Sequence, residues 1–193
     1  MFFRFLGRDQ AVKIDRFPES FNSLVRLSPS PTKLEYRILS CAPFVASPHD
    51  VVRKMLEVGK VGKDDVLVDL GSGDGRILTT AIKDFGVKAA FGYEIREDLF
   101  KTASSEITRQ SLDSRIKIFN RDLFQADLKE ATVVTLYLTT YANERLKPKL
   151  RAEAGPKTRI VSHDFMINGW KPARKENYNE HTIYVYSIPE SYM

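Results

Sequence analysis

Between Asp69 and Gly75 the chain reads Asp-Leu-Gly-Ser-Gly-Asp-Gly, two carboxylates and three alternating glycines in seven residues. Glycines at this spacing let the backbone turn sharply and let a ligand press against bare peptide groups, and the segment from Arg76 onward offers the unpaired N–H groups of a helix start. A dinucleotide fingerprint would need a third glycine at position 76, where Arg76 stands, so a pyrophosphate is disfavoured. Asp69 and Asp74 would also repel phosphate, whereas they suit a ligand that carries positive charge. S-adenosylmethionine, with its sulfonium and α-ammonium groups, is such a ligand.

Two further acids stand where the same ligand would need them. Ala89 to Tyr93 is an apolar run ending in Glu94, about 20 residues beyond the glycine turn, where a neighbouring strand tip presents a carboxylate to both ribose hydroxyls. Ile116 to Leu123 alternates and ends on Asp122, which can take the adenine amine with Leu123 beside it; the competing reading is a loop aspartate that starts the next turn.

These acids need strand ends to hold them. Val66-Leu67-Val68 before Asp69 is too short and too β-branched for a helix and fits a strand buried on both faces of a parallel sheet. Strands are expected at 66–70, 88–94, 115–119, 132–138, 158–163 and about His181 to Ile188, with helices at 76–85, 96–110 and 141–153. An earlier helix runs to about Gly59, with Ser47 as its cap, Pro48 at its first position and Asp50 in the capping-box place. Alternating strands and helices imply right-handed crossovers in an α/β fold with helices on both faces, and ligands then lie outside the carboxyl ends of the strands.

Composition is compatible with one soluble domain. The 193 residues are 42% hydrophobic and 28% charged, ordinary for a globular chain, and no apolar run reaches the roughly 18 residues of a membrane span. Arg4 and Arg8 interrupt the apolar start, so no signal-peptide core forms and a cytoplasmic location is expected. The single cysteine, Cys41, leaves no intramolecular disulfide, and His49, His163 and His181 are too far apart in sequence for a local metal motif, so no metal is expected. Residues 1–40 hold three of the five net positive charges, with seven Lys or Arg against four acids. Because those charges are interspersed rather than blocked, a solvated face is favoured over a nucleic-acid patch. This Pro- and Ser-containing stretch reads as an N-terminal extension of open role, with a short helix at Ser20 to Leu27; residues 41–193 form the regular domain.

The acidic glycine turn and Glu94 resemble the class I, seven-strand S-adenosylmethionine-dependent methyltransferases, whose sheet is Rossmann-like. Pro43 to Ser47, Leu70 to Ile77, Ala131 to Leu138, Asn143 to Leu150 and Arg159 to Phe165 are similar, more narrowly, to the small archaeal protein-lysine methyltransferases, and more distantly to mitochondrial enzymes that modify an ATP synthase subunit. The resemblance covers about Pro43 to Ile188. It implies S-adenosylmethionine as cofactor, held by Asp69, Gly71, Ser72, Gly73, Asp74, Gly75, Glu94, Asp122 and Leu123, and protein substrates with exposed lysines, acted on by a monomer without membrane attachment. The first 40 residues depart from the archaeal pattern.

Residues after Leu138 narrow the acceptor. The Asp/Asn/Ser-Pro-Pro-aromatic turn used on base amines is absent from Leu136-Tyr137-Leu138-Thr139-Thr140-Tyr141; Cys41 precedes the domain core, and only Glu144 stands where arginine methylation uses two glutamates. An amine on a protein remains. A lysine amine is only about one part in 10³ to 10⁴ neutral at pH 7, so a dry, aromatic channel beside a sulfonium is needed to strip its proton. Tyr137, Phe44 and Tyr141 are the candidate walls, although buried aromatics are also ordinary core. His163 and Asp164 would diverge on a continuing strand and are read as structural, and Ile167 to Pro172, with the single tryptophan, as a packed turn. An RNA methyltransferase, or a nucleoside-binding module without turnover, are the alternatives.

Overall fold

The computed structural model describes residues 44–192, so the expectations for residues 1–40, including the helix at Ser20 to Leu27, and those for Cys41 and Pro43 lie outside the described residues. Seven strands form one sheet: β1 Val66–Leu70, β2 Ala89–Tyr93, β3 Ile116–Phe119, β4 Val133–Leu136, β5 Arg159–His163, β6 Arg174–Tyr178 and β7 His181–Ser187, in the order β3-β2-β1-β4-β5-β7-β6. The first five are parallel; β7 runs antiparallel to β5, and β6 to β7. Chain order moves outward from β1 through β2 to β3, then returns to place β4 on the other side of β1. That reversal opens a crevice at the carboxyl ends of β1 and β4.

Strand alternation divides the core. Val66, Val68, Leu70, Phe91, Val134, Leu136 and Tyr186 face one side, where helix α4 (Thr140–Glu153) adds Leu146 and Leu150. Leu67, Val133, Val161 and Ile183 face the other, against α1 (His49–Val58), α2 (Arg76–Asp84) and α3 (Glu97–Arg109). Both β1 and β2 are buried along their whole length, as expected of central parallel strands.

Three sequence expectations need correction. β6, Arg-Lys-Glu-Asn-Tyr, has no counterpart among the expected strands, because it carries no buried apolar side; it is an edge strand whose charges discourage further pairing. β4 ends at Leu136 rather than 138, so Tyr137 and Leu138 leave the sheet. Helix α1 is not capped by Ser47: Pro48 takes the cap position without a side-chain bond, and Ser47 turns inward.

Candidate functional site

The turn after β1 is built by three left-handed glycines, Gly71, Gly73 and Gly75, with φ of 88°, 54° and 79°. The N–H groups of Gly71 and Ser72 both donate to the Tyr93 carbonyl, at 2.9 and 3.0 Å, which ties the turn to the end of β2. Gly92 makes that contact possible, since a Cβ there would lie 2.6 Å from Ser72 Oγ and 2.7 Å from Leu78 Cδ1. Gly73 lies directly under the Phe44 ring, where a Cβ would sit 2.5 Å from Cε2.

A cavity opens over this turn, lined by Phe44, Asp69, Gly71, Ser72, Gly73, Asp74, Glu94, Asp122, Leu123 and Tyr137, together with Arg76, Arg96 and Leu99. Most of the residues marked by sequence therefore meet. Gly75 and Tyr141 are not on its wall. Gly75 instead begins α2 and packs on Ala103, 3.2 Å from where its Cβ would be, while Tyr141 is 68% exposed on the first turn of α4.

The carboxylates differ in state. Asp69 is buried, and its Oδ1 accepts from Thr135 Oγ1 at 2.7 Å, across the β1–β4 register that pairs the two residues. Burial, opposed by the Thr135 bond and reinforced by the charges of Glu94 and Asp74, pushes its carboxyl up to about 7. Glu94 accepts Gly73 N–H on Oε2 and Arg96 N–H on Oε1, both at 2.8 Å; burial raises its pKa despite those two bonds. Each of its oxygens keeps a further lone pair for a ligand hydroxyl. Asp74, expected to face a cationic ligand, lines the cavity and is also paired within the chain. Arg76 grips it through Nε at 2.9 Å and an Nη at 2.5 Å, so its charge is already matched. Asp122 serves its turn as well as lining the cavity, with Oδ1 accepting Phe124 N–H at 3.0 Å.

On the far side of Tyr137 lies a group that sequence spacing did not bring together. His163 is fully buried; its Nδ1 meets Ser47 Oγ at 2.8 Å and its Nε2 meets His181 Nδ1 at 2.9 Å. Tyr137 stacks on the His163 ring with centroids 3.9 Å apart. Asp164 does not diverge from His163, because the strand stops there and Asp164 adopts φ 58°, swinging its carboxylate to His181 Nδ1 at 2.9 Å. The only local hint was the pair of polar residues at a strand end. Ser47 and His163 are 116 positions apart, and strand pairing alone joins His163 to His181. Arg76 was also overlooked; its Nη1 donates to the Ser47 carbonyl at 2.7 Å and so ties the segment carrying Phe44 to the glycine turn.

The arrangement provides an acidic cup with backbone-lined walls beside an aromatic ring, suited to a cationic nucleoside and an apolar-flanked acceptor. Residues 69–174 match the family model of the ANTKMT methyltransferase domain. Among curated proteins, a protein-lysine N-methyltransferase of Saccharolobus islandicus is 47% identical over 152 residues, covering 77% of this chain and 94% of that protein. The adenine nucleotide translocase lysine N-methyltransferase of Mus musculus is 29% identical over 148 residues, which span 76% of this chain and 63% of that protein's length. A crystal structure of an RNA methyltransferase from Salinibacter ruber in complex with S-adenosyl-L-homocysteine is 42% identical, with a TM-score of 0.73, covering 76% of this chain and 95% of that one.

Proposed function

This chain belongs to the ANTKMT methyltransferase domain family, and from that membership we propose that it works as an S-adenosylmethionine-dependent protein-lysine N-methyltransferase on exposed lysines of protein substrates. The observation that carries the reading is the pair of buried carboxylates, Asp69 and Glu94, on one cavity that Tyr137 also lines. The residues fit the cofactor: the glycine turn leaves backbone where side chains would intrude, Glu94 retains acceptor capacity for two hydroxyls, and Ser72 Oγ is buried without a hydrogen-bond partner among the described residues.

When bound, S-adenosylmethionine supplies an electrophilic methyl group on a sulfonium. Glu94 would hold the ribose hydroxyls, and Asp122 with Leu123 would border the adenine. Asp69 would balance the cofactor's positive charge. The acceptor enters between Phe44 and Tyr137. An ε-amine confined there loses water, and loss of water favours its neutral form, so the aromatic walls promote deprotonation without a dedicated base. Tyr137 is suited to this because burial and the nearby Asp164 raise its pKa, keeping the phenol uncharged. In-line placement of a neutral amine then contributes roughly 7 to 11 kcal/mol toward the barrier.

Incubation with methyl-labelled cofactor and a mixed protein extract tests the proposal, with RNase in a parallel reaction. Label on lysines that survives RNase supports it. Similarity to the RNA methyltransferase of Salinibacter ruber motivates one other reading, RNA methylation, and label lost to RNase would establish that instead. Cofactor binding with no label in either fraction would mean a nucleoside-binding module without turnover.

A further inference from the structure

Behind Tyr137, three ligand-type atoms converge on a point that methyl transfer does not use. His163 Nε2 lies 2.9 Å from His181 Nδ1 and 3.3 Å from Asp164 Oδ2, and the last two are 2.9 Å apart. In a tetrahedral zinc site with nitrogen and oxygen ligands the donor atoms stand about 3.3 Å from one another, so this triangle is nearly one face of such a tetrahedron.

Proton counting shows how much of this triangle hydrogen bonds leave open. Each neutral imidazole carries one proton. If His181 alone has it on the facing nitrogen, the contact between His163 Nε2 and Asp164 Oδ2 joins two lone pairs. If His163 alone does, the contact between His181 Nδ1 and Asp164 Oδ2 joins two lone pairs. If both do, two N–H groups face each other across 2.9 Å. Each of these three arrangements leaves at least one edge of the triangle without a hydrogen bond, and a cation at its centre would engage all three atoms.

Two of the three atoms that do not point inward are already held, as metal ligands require. Ser47 Oγ engages His163 Nδ1 at 2.8 Å, and Thr182 N–H donates to Asp164 Oδ1 at 2.9 Å. The left-handed backbone at Asp164 is what directs its second oxygen into the triangle.

We propose that His163 Nε2, His181 Nδ1 and Asp164 Oδ2 form a binding site for a zinc-type divalent ion. Two imidazoles and one carboxylate favour a first-row transition ion over Mg²⁺ or Ca²⁺, which prefer all-oxygen sets. His181 and Asp164 remain about a quarter exposed, which leaves room for water as a fourth ligand. Such an ion would clamp the end of β5 to the start of β7 and stiffen the support of Tyr137 and of the Ser47 segment.

The test needs no methyl transfer and is therefore independent of the acceptor. The chelator-treated full chain is titrated with Co²⁺ and followed by its visible ligand-field absorption, then challenged with Zn²⁺, Mg²⁺ and Ca²⁺. One equivalent of Co²⁺ should bind with tetrahedral-type bands, Zn²⁺ should displace it, and the two hard cations should not. His181→Ala and Asp164→Asn should each weaken binding at least about tenfold, with S-adenosylhomocysteine affinity retained as the check on folding. Absence of bands at one equivalent, or bands of undiminished strength in both variants, would overturn the site.

Discussion

Replacing Asp69 by Asn tests the electrostatics of the cup most directly. The carboxyl is buried, accepts one bond from Thr135, and is pushed up to about 7 by burial and by its acidic neighbours. Displacement from 3.8 to about 7 corresponds to roughly 4 kcal/mol of preference for the protonated form in the unliganded fold. Because the folded value is the higher one, that contribution to stability is fully present below pH 3.8 and is lost as pH rises through about 7. A cationic ligand reverses the preference, since a positive charge a few ångströms away favours carboxylate. Binding of S-adenosylmethionine at pH 6.5 should then release about three quarters of a proton from this group, and almost none at pH 8.5. Calorimetry in two buffers of different ionisation enthalpy measures the release directly. Asp69→Asn should remove most of it, leaving only what Glu94 contributes, and should flatten the fall in affinity below pH 7. Equal proton release by wild type and Asp69→Asn, or none by either at pH 6.5, would refute the assignment of Asp69 as the counter-charge.

Three other substitutions probe the remaining parts. Glu94→Ala strands the buried N–H of Gly73 and the part-buried N–H of Arg96, and should cost about 2 to 3 kcal/mol in denaturant unfolding as well as at least about tenfold in S-adenosylhomocysteine affinity by calorimetry. Tyr137→Ala should lower turnover at least about tenfold with cofactor affinity retained, and Tyr137→Phe should keep most of the activity if the ring acts as a dry wall; equal loss of affinity in Tyr137→Ala and Glu94→Ala would remove the role given to Tyr137. Gly92→Ala puts a methyl 2.6 Å from Ser72 Oγ and 2.7 Å from Leu78 Cδ1, so it should destabilise by about 1 to 3 kcal/mol in thermal melts and displace the glycine turn, weakening cofactor binding in the same protein.

Local chemistry made much of this protein legible. Three glycines between acids make a turn that admits a ligand, and Asp69, Glu94 and Asp122 each end an apolar or alternating run, which is why β1, β2 and β3 and their tips were readable to within a residue or two. β6 was not, because an edge strand need not bury a side and its charged residues leave no period to read. Partner choice was likewise hidden. Arg76 takes the charge of Asp74 through side chains two residues apart, a pairing that the turn geometry decides and spacing leaves open. Ser47 sits in a favourable capping context, yet it serves His163, because packing α1 against the sheet offers its hydroxyl a buried imidazole. Acid placement and glycine spacing were thus determined within a few residues of chain, where backbone sterics and charge act. The meeting of Tyr137, His163, Asp164 and His181 was decided only in three dimensions, since it depends on which strand lies beside which and on one left-handed residue that ends β5.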